Sequence, residues 1–213
     1  MYKIITIDGP AGVGKGTVSK RLSEALKARI LNSGEIYRTI AYNISKNEIN
    51  YKDRIGIINY LQDYKYVKIS SDKLYNKEID SITSEISSIP KLRKLIIGFQ
   101  RNFIKSKDNA NKYIIAEGRD MGTVIFPKAY VKIFLWANCE TRAKRRYLQV
   151  KKSLKTRKFN DILNEIRTRD MKDMSRKTAP LQPAEDSYLI DNSNLDIEQS
   201  FNAILKIINK TNQ

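Results

Sequence analysis

The sequence predicts an α/β fold in three layers, with a parallel sheet at the centre and helices covering it. Three observations carry that prediction. Tyr2–Asp8 clusters β-branched residues like a buried strand, the glycine loop Gly9–Gly16 breaks it, and a helix-period segment follows at once. Strand and helix signals then alternate along the chain, which favours crossover connections over a run of hairpins. In the first helical segment, Thr17–Ala28, apolar Val18, Leu22, Ala25 and Leu26 share one face. Ala28–Asn32 reads as a second strand and Glu35–Ser45 as the next helix. Around Tyr66–Tyr75 the pattern changes: Val67, Ile69, Leu74 and Tyr75 flank the turn-like Ser70-Ser71-Asp72, which predicts a small hairpin in an insertion. Pro90 introduces a helix over Lys91–Phe103, and Lys105–Lys112 is a polar loop before the apolar strand Tyr113–Ala116. Val131–Trp136 is the next strand. Glu140–Val150 and Phe159–Met171 are helical by spacing, a loop centred on Ala179–Pro183 follows, and strand Tyr188–Ile190 and amphipathic helix Asp196–Ile208 end the pattern. No internal repeat and no long flexible linker divides the chain.

Composition narrows the chemistry. Of 213 residues, 41% are hydrophobic and 30% charged, enough to bury one compact core and too apolar for a disordered polymer. A single cysteine, Cys139, and the lack of histidine remove disulfide frameworks, zinc sites and Ser-His or Cys-His dyads. No apolar run reaches the roughly 18 residues that span a bilayer, and Met1–Gly9 is too short an apolar segment for a secretory signal. A cytoplasmic protein with no membrane partner is expected. Lys and Arg number 40 against 23 Asp and Glu, a formal charge of +17. That excess predicts attraction to nucleic acid or to phosphorylated small molecules, and a lysine-rich compositional habit accounts for it equally well.

Gly9-Pro10-Ala11-Gly12-Val13-Gly14-Lys15-Gly16-Thr17 has the spacing of a phosphate-binding loop. By chance that spacing arises in about one such chain in twenty, so its position between a strand and a helix decides the matter. The glycines permit a turn whose N–H groups face a phosphate, the helix N-terminus adds its dipole, and Lys15 reaches the outer phosphates. Gly16 stands where Ser or Thr usually follows the lysine, with the hydroxyl delayed to Thr17. That Gly-Lys-Gly-Thr run resembles the loops of nucleoside monophosphate kinases and leaves the direct metal ligand open.

Further segments resemble one family, the bacterial cytidylate kinases, over nearly the whole chain. They are Gly9–Thr17, Asn32–Arg38, Gly118–Pro127, and Arg169-Asp170 through Arg176 into Ala179-Pro180-Leu181. The block Gly118–Pro127 is the most diagnostic. Its Arg119 and Asp120 follow a strand's carboxyl end, where open parallel sheets bind ligands. An arginine forks onto phosphate and a carboxylate accepts from the exocyclic amine of cytosine, although a salt-bridged turn would use the same pair. The resemblance implies that Arg119 holds the CMP phosphate and Asp120 helps read the base.

Ser33 and Arg38 lie five apart at a helix start, as a cap with an exposed arginine would, or as a hydroxyl and guanidinium facing a second phosphate. By resemblance both line the CMP site, with Asn32 and Glu35 departing from the usual residues. The segment Ser84–Arg93 resembles the family stretch whose serine and arginine contact the cytosine edge, and a turn hydroxyl is the competing reading of Ser84. Glu117 ends a strand where phosphate-loop enzymes place the acid that organises Mg²⁺ waters, usually aspartate. Thr17 and Glu117 are the metal candidates, acting through water, and an ordinary strand-end carboxylate is the competing reading of Glu117. Arg142–Lys158 holds nine basic residues and no acidic one, which fits a solvated face or arginines closing over a triphosphate. The resemblance assigns Arg169 and Asp173 to CMP, and Arg176 and Arg145 to the phosphates. Lys172 stands where arginine is common.

The resemblance implies a phosphate-loop nucleoside monophosphate kinase fold: a core over 1–33, 91–155 and 178–213, an acceptor-binding insert over about 34–90 and a short lid over about 156–177. It further implies a monomer that transfers the γ-phosphoryl of ATP to CMP or dCMP with Mg²⁺, giving ADP, without nucleic acid. Lys15, Arg38, Arg119, Arg169 and Arg176 would stabilise the transferring group. The competing expectations are a kinase for UMP or another small acceptor, and a nucleic-acid-binding ATPase using the net charge.

Overall fold

The computed structural model describes residues 2–62, 64, 66, 67, 69–105, 112–151 and 158–212. Residues 106–111 of the expected polar loop, the first residues of the expected lid and part of the basic run up to Lys158 fall outside these residues. The chain forms two compact units, Met1–Leu31 with Asp108–Gln213, and Asn32–Lys107.

The first unit begins with β1 (Lys3–Asp8), the glycine loop, α1 (Lys15–Leu26) and β2 (Arg29–Asn32). Ile5 and Ile7 on β1 and Val18 and Leu22 on α1 are fully or nearly fully buried in one cluster, so the period-2 and period-3.6 patterns meet at the core. Truncating Leu22 to alanine would cost about 2–5 kcal/mol at such a site.

The second unit is helical: α2 (Ser33–Lys46), α3 (Arg54–Gln62), α4 (Ser71–Leu74), α5 (Lys77–Ile86) and α6 (Pro90–Lys105). Asn32 caps α2, its side chain accepting the Glu35 N–H at 3.0 Å, and Asn76 caps α5 by accepting from Ile79 at 2.9 Å. Ile79, Ile82, Thr83 and Ile86 line the buried face of α5, with Ile36, Ile40 and Ile44 on α2 also buried. The hairpin expected around Tyr66–Tyr75 is not formed among the described residues, and Lys68 lies outside them. Among the described residues there is a helical turn at Ser71–Leu74 and no strand, with Leu74 buried. An isolated two-stranded hairpin is marginal in water, whereas one helical turn anchored by Leu74 satisfies its backbone locally.

The chain then returns to the first unit with β3 (Tyr113–Gly118), a π-helical turn (Met121–Ile125), β4 (Val131–Trp136), α7 (Cys139–Lys151), α8 (Phe159–Ser175), β5 (Tyr188–Asp191) and α9 (Ile197–Thr211). The sheet order is β2-β3-β1-β4-β5, and β1 pairs parallel with both β3 and β4. Strand β3 runs two residues past the expected end, so Glu117 and Gly118 lie inside it, opposite Ile7 and Asp8. Helices α1 and α9 pack together over one face, where Ile204 and Ile208 join the cluster of Ile5, Ile7, Ile133 and Leu135. A reciprocal cap starts α9: Asp196 accepts from the Gln199 N–H at 2.7 Å, and Gln199 accepts from the Asp196 N–H at 2.9 Å. No helix among the described residues is long and apolar enough to cross a membrane.

Candidate active site

The glycine loop leaves β1 at the carboxyl edge of the sheet. A Cβ on Gly9, whose φ is +150°, would lie 2.2 Å from the Leu135 carbonyl oxygen, so the loop can pass β4 only with glycine there. Several loop carbonyls are held from behind. Ala11 O accepts from Arg142 Nη1 at 3.0 Å, and Val13 O accepts from Asn192 Nδ2 at 2.8 Å. Because each peptide is planar and trans, these bonds turn the N–H groups of Gly12 and Gly14 to the opposite side, the orientation an anion requires. Lys15 opens α1 and donates Nζ to Gly9 O at 2.7 Å and Pro10 O at 2.8 Å.

Around this loop the first unit gathers most of the charged residues singled out in the sequence. Burial, with the Arg119 guanidinium next in weight, pushes the Lys15 ammonium well below the usual lysine range, while Glu117 and Asp8 oppose the shift. Glu117 is buried in β3, and a Cβ on Gly16 would lie 3.8 and 3.9 Å from its two carboxylate oxygens. Thr17 is exposed on the first turn of α1. Arg119 Nε donates to Asp173 Oδ2 at 3.0 Å, and Arg176 lies 3.6 Å from Asp173 Oδ1. Burial alone would raise the Asp173 carboxyl, but Arg119, Arg169 and Arg176 outweigh it and hold it below the ordinary aspartate range. Arg176 also donates Nε to Ala179 O at 2.6 Å, and Lys172 is exposed. Asp120 is buried at the head of the π-helical turn, its carbonyl accepting from Ile125 at 3.1 Å. A π turn costs backbone regularity and recurs where side chains are aimed at ligands.

In the second unit Ser33 is buried and accepts from Gln100 Nε2 at 2.8 Å. Arg38 pairs with Asp80 and stacks over Tyr75, 4.8 Å from the ring centre. Arg93 is buried, donating to Ser87 O at 3.0 Å with Tyr37 beside it at 5.8 Å. Ser84 lies half-buried on α5.

The family model described as cytidylate kinase matches residues 5–210. The chain belongs to the cytidylate kinase family. Cytidylate kinase of Pasteurella multocida is 39% identical over 210 residues, covering 92% of this chain and 90% of its own. That of Mycoplasmopsis synoviae is 37% identical over 215 residues, covering 96% and 97%. Shikimate kinase from Bacteroides thetaiotaomicron superposes with a TM-score of 0.52 at 12% identity, covering 97% of this chain and 98% of that one, a likeness of fold alone.

In this member of the cytidylate kinase family Arg142, Asn192 and Gln100 carry no local sequence signal, whereas Arg145 was expected from the sequence. Arg145, expected on the phosphates, donates to Asn192 O at 2.8 Å and Leu195 O at 3.0 Å and approaches Val13 O at 3.5 Å, so it sits beside the loop's backbone. Arg142 is fully buried, and Asn192 and Gln100 are nearly so, each bonded to a residue singled out above. Asp8 had a legible signal, an acid ending an apolar strand one residue before the glycine loop.

Proposed function

We propose that this chain transfers the γ-phosphoryl group of ATP to CMP or dCMP, giving ADP and CDP or dCDP, as a monomer in the cytoplasm. The observation that carries the reading is the family match over residues 5–210, joined to the convergence of Lys15, Arg119, Arg169 and Arg176 beside one glycine loop. The acceptor phosphate is already anionic, so no protein base is needed, and catalysis reduces to alignment and charge stabilisation.

The N–H groups of the loop and Lys15 hold the ATP phosphates. A phosphate beside Lys15 supplies negative charge that favours its protonated form, opposing the downward push of burial and Arg119. Arg119, Arg169 and Arg176 spread positive charge around the transferring group, and Asp173 keeps these guanidinium groups in a fixed arrangement. Glu117, whose buried carboxylate lies beside Gly16, and the Thr17 hydroxyl would hold Mg²⁺ entering with ATP, through water. The chemistry such an ion would supply is neutralisation of phosphate charge. Arg38 and Ser84 supply CMP contacts from the insert over about 34–90, Ser33 and Arg93 supply them from the core residues that flank it, and Asp120 supplies the base-reading carboxylate. The short lid over about 156–177 carries Arg169, Asp173 and Arg176.

ADP release from ATP·Mg²⁺ against CMP, dCMP, UMP, AMP and GMP at one concentration tests this reading. CMP and dCMP are expected to lead. UMP-led activity would overturn the base assignment, and hydrolysis stimulated by polynucleotide alone would overturn the kinase.

A further inference from the structure

Asp8 closes β1 one residue before the phosphate loop, at a place where phosphoryl transfer calls for no carboxylate. It is buried, and each oxygen accepts a backbone N–H: Oδ1 from Met121 at 2.9 Å and Oδ2 from Gly122 at 2.7 Å. These two amides open the π-helical turn that follows Arg119 and Asp120. The approach is also steric. A Cβ on Gly122 would lie 2.9 Å from Thr6 Oγ1 and 3.4 Å from Asp8 Oδ2, so only glycine lets this turn settle onto β1. An ionised carboxylate presents two full acceptors to the two amides, whereas an asparagine presents one acceptor and a donor that faces an N–H.

We propose that Asp8 is a positioning residue for the acceptor site: by holding the Met121 and Gly122 amides it fixes the turn that aims Arg119 and Asp120, and ties that aim to the loop carrying Lys15. The inference rests on the acceptor roles proposed above for Arg119 and Asp120. In-line transfer requires donor and acceptor groups to be registered within about 0.5 Å, and here the two sets sit on neighbouring strands, β1 and β3. Asp8 bonds the end of the first strand to the turn leaving the second.

The charged groups around Asp8 are Lys15 from α1, which favours its ionised form, and Asp120 from the turn, which opposes it. Lys132 of β4 packs its stem near Gly122 and places its ammonium 2.7 Å from Asp186, while Glu117 and Arg119 act on the same Lys15. Burial dominates and pushes the carboxyl up to about 6. Above that pH both oxygens are full acceptors; below it one is a hydroxyl.

The test is steady-state kinetics of Asp8→Asn, alone and combined with Arg119→Ala, with the amide signals of Met121 and Gly122 followed by NMR through a pH titration. Asp8→Asn is expected to raise KM for CMP at least tenfold while KM for ATP moves less than twofold. The double variant should fall short of the product of the two single effects by at least threefold. An unchanged KM for CMP, equal losses for both substrates, or fully multiplicative effects would overturn the proposal. In the nucleotide-free wild type, the two amide signals should shift together with a midpoint near 6; flat signals would overturn it even where Asp8→Asn fails to fold. A wild type with no nucleoside monophosphate kinase activity would instead refute the proposed function, and the amide titration would still decide whether Asp8 holds the turn.

Discussion

Arg142 and Asp170 form a doubly hydrogen-bonded ion pair in the interior, with Nη1 to Oδ1 at 3.1 Å and Nη2 to Oδ2 at 2.5 Å. The arginine also donates Nε to Ala137 O at 2.8 Å, Nη1 to Ala11 O in the phosphate loop and lies over Trp136, so one side chain ties α7 and α8 to the loop. Arg169 precedes Asp170 and Asp173 follows it by three residues, which makes this pair the anchor of the charged face of α8.

Breaking the pair from one side leaves a buried charge uncompensated. Asp170→Asn or Arg142→Ala should lose about 3–5 kcal/mol of stability in urea unfolding, whereas the double variant Arg142→Leu with Asp170→Leu should recover part of that loss. If either single variant changes stability by less than about 1 kcal/mol, the pair is not the anchor described.

Lys15→Ala should lower kcat by about 100-fold or more with the unfolding midpoint little changed, because in the proposed reaction the ammonium faces developing charge, while among the described residues its hydrogen bonds go to two loop carbonyls. Undiminished turnover in a folded variant would reject the loop as the ATP site.

Asp120→Ala should raise the use of UMP relative to CMP. A carboxylate rewards the exocyclic amine of cytosine and is indifferent or repulsive to the uracil carbonyl, a difference of about 1–3 kcal/mol per well-made contact. The measurement is the ratio of kcat/KM for the two acceptors, and a constant ratio would remove Asp120 as a base reader.

Asp8 and Asp173 give opposite pH dependence. Asp8 is raised from 3.8 to about 6, so the folded state binds the extra proton and stability falls as pH climbs between those values, by up to about 3 kcal/mol. The stability of Asp8→Asn minus that of wild type should therefore rise between pH 4 and pH 7. Asp173 is held below 3.8, so its contribution is full above that pH and is lost on acidification beneath it. Asp173→Asn should accordingly be less stable than wild type at pH 7 and converge with it in acid. Parallel curves for a variant and wild type would contradict the corresponding linkage.

Local chemistry was enough to read the strand-loop-helix start, the strand Val131–Trp136 and the position of Arg119 and Asp120 beyond a strand's end, because periodicity and glycine spacing act over a few residues. Helix α5 was legible in principle from Ile79, Ile82 and Ile86, yet turn-forming residues at 70–72 pointed to a hairpin that the fold replaces with a helical turn. Tertiary structure alone decided which distant groups meet. Arg142 reaches Asp170 across 28 residues because α7 packs against α8, and Asp8 reaches Met121 and Gly122 across 113 and 114 because β1 pairs in parallel with β3 and brings the turn after it to the same edge. Burial, which moves Asp8 up and gives the Arg142 pair its weight, is likewise a property of the assembled core and is written in no single stretch of residues.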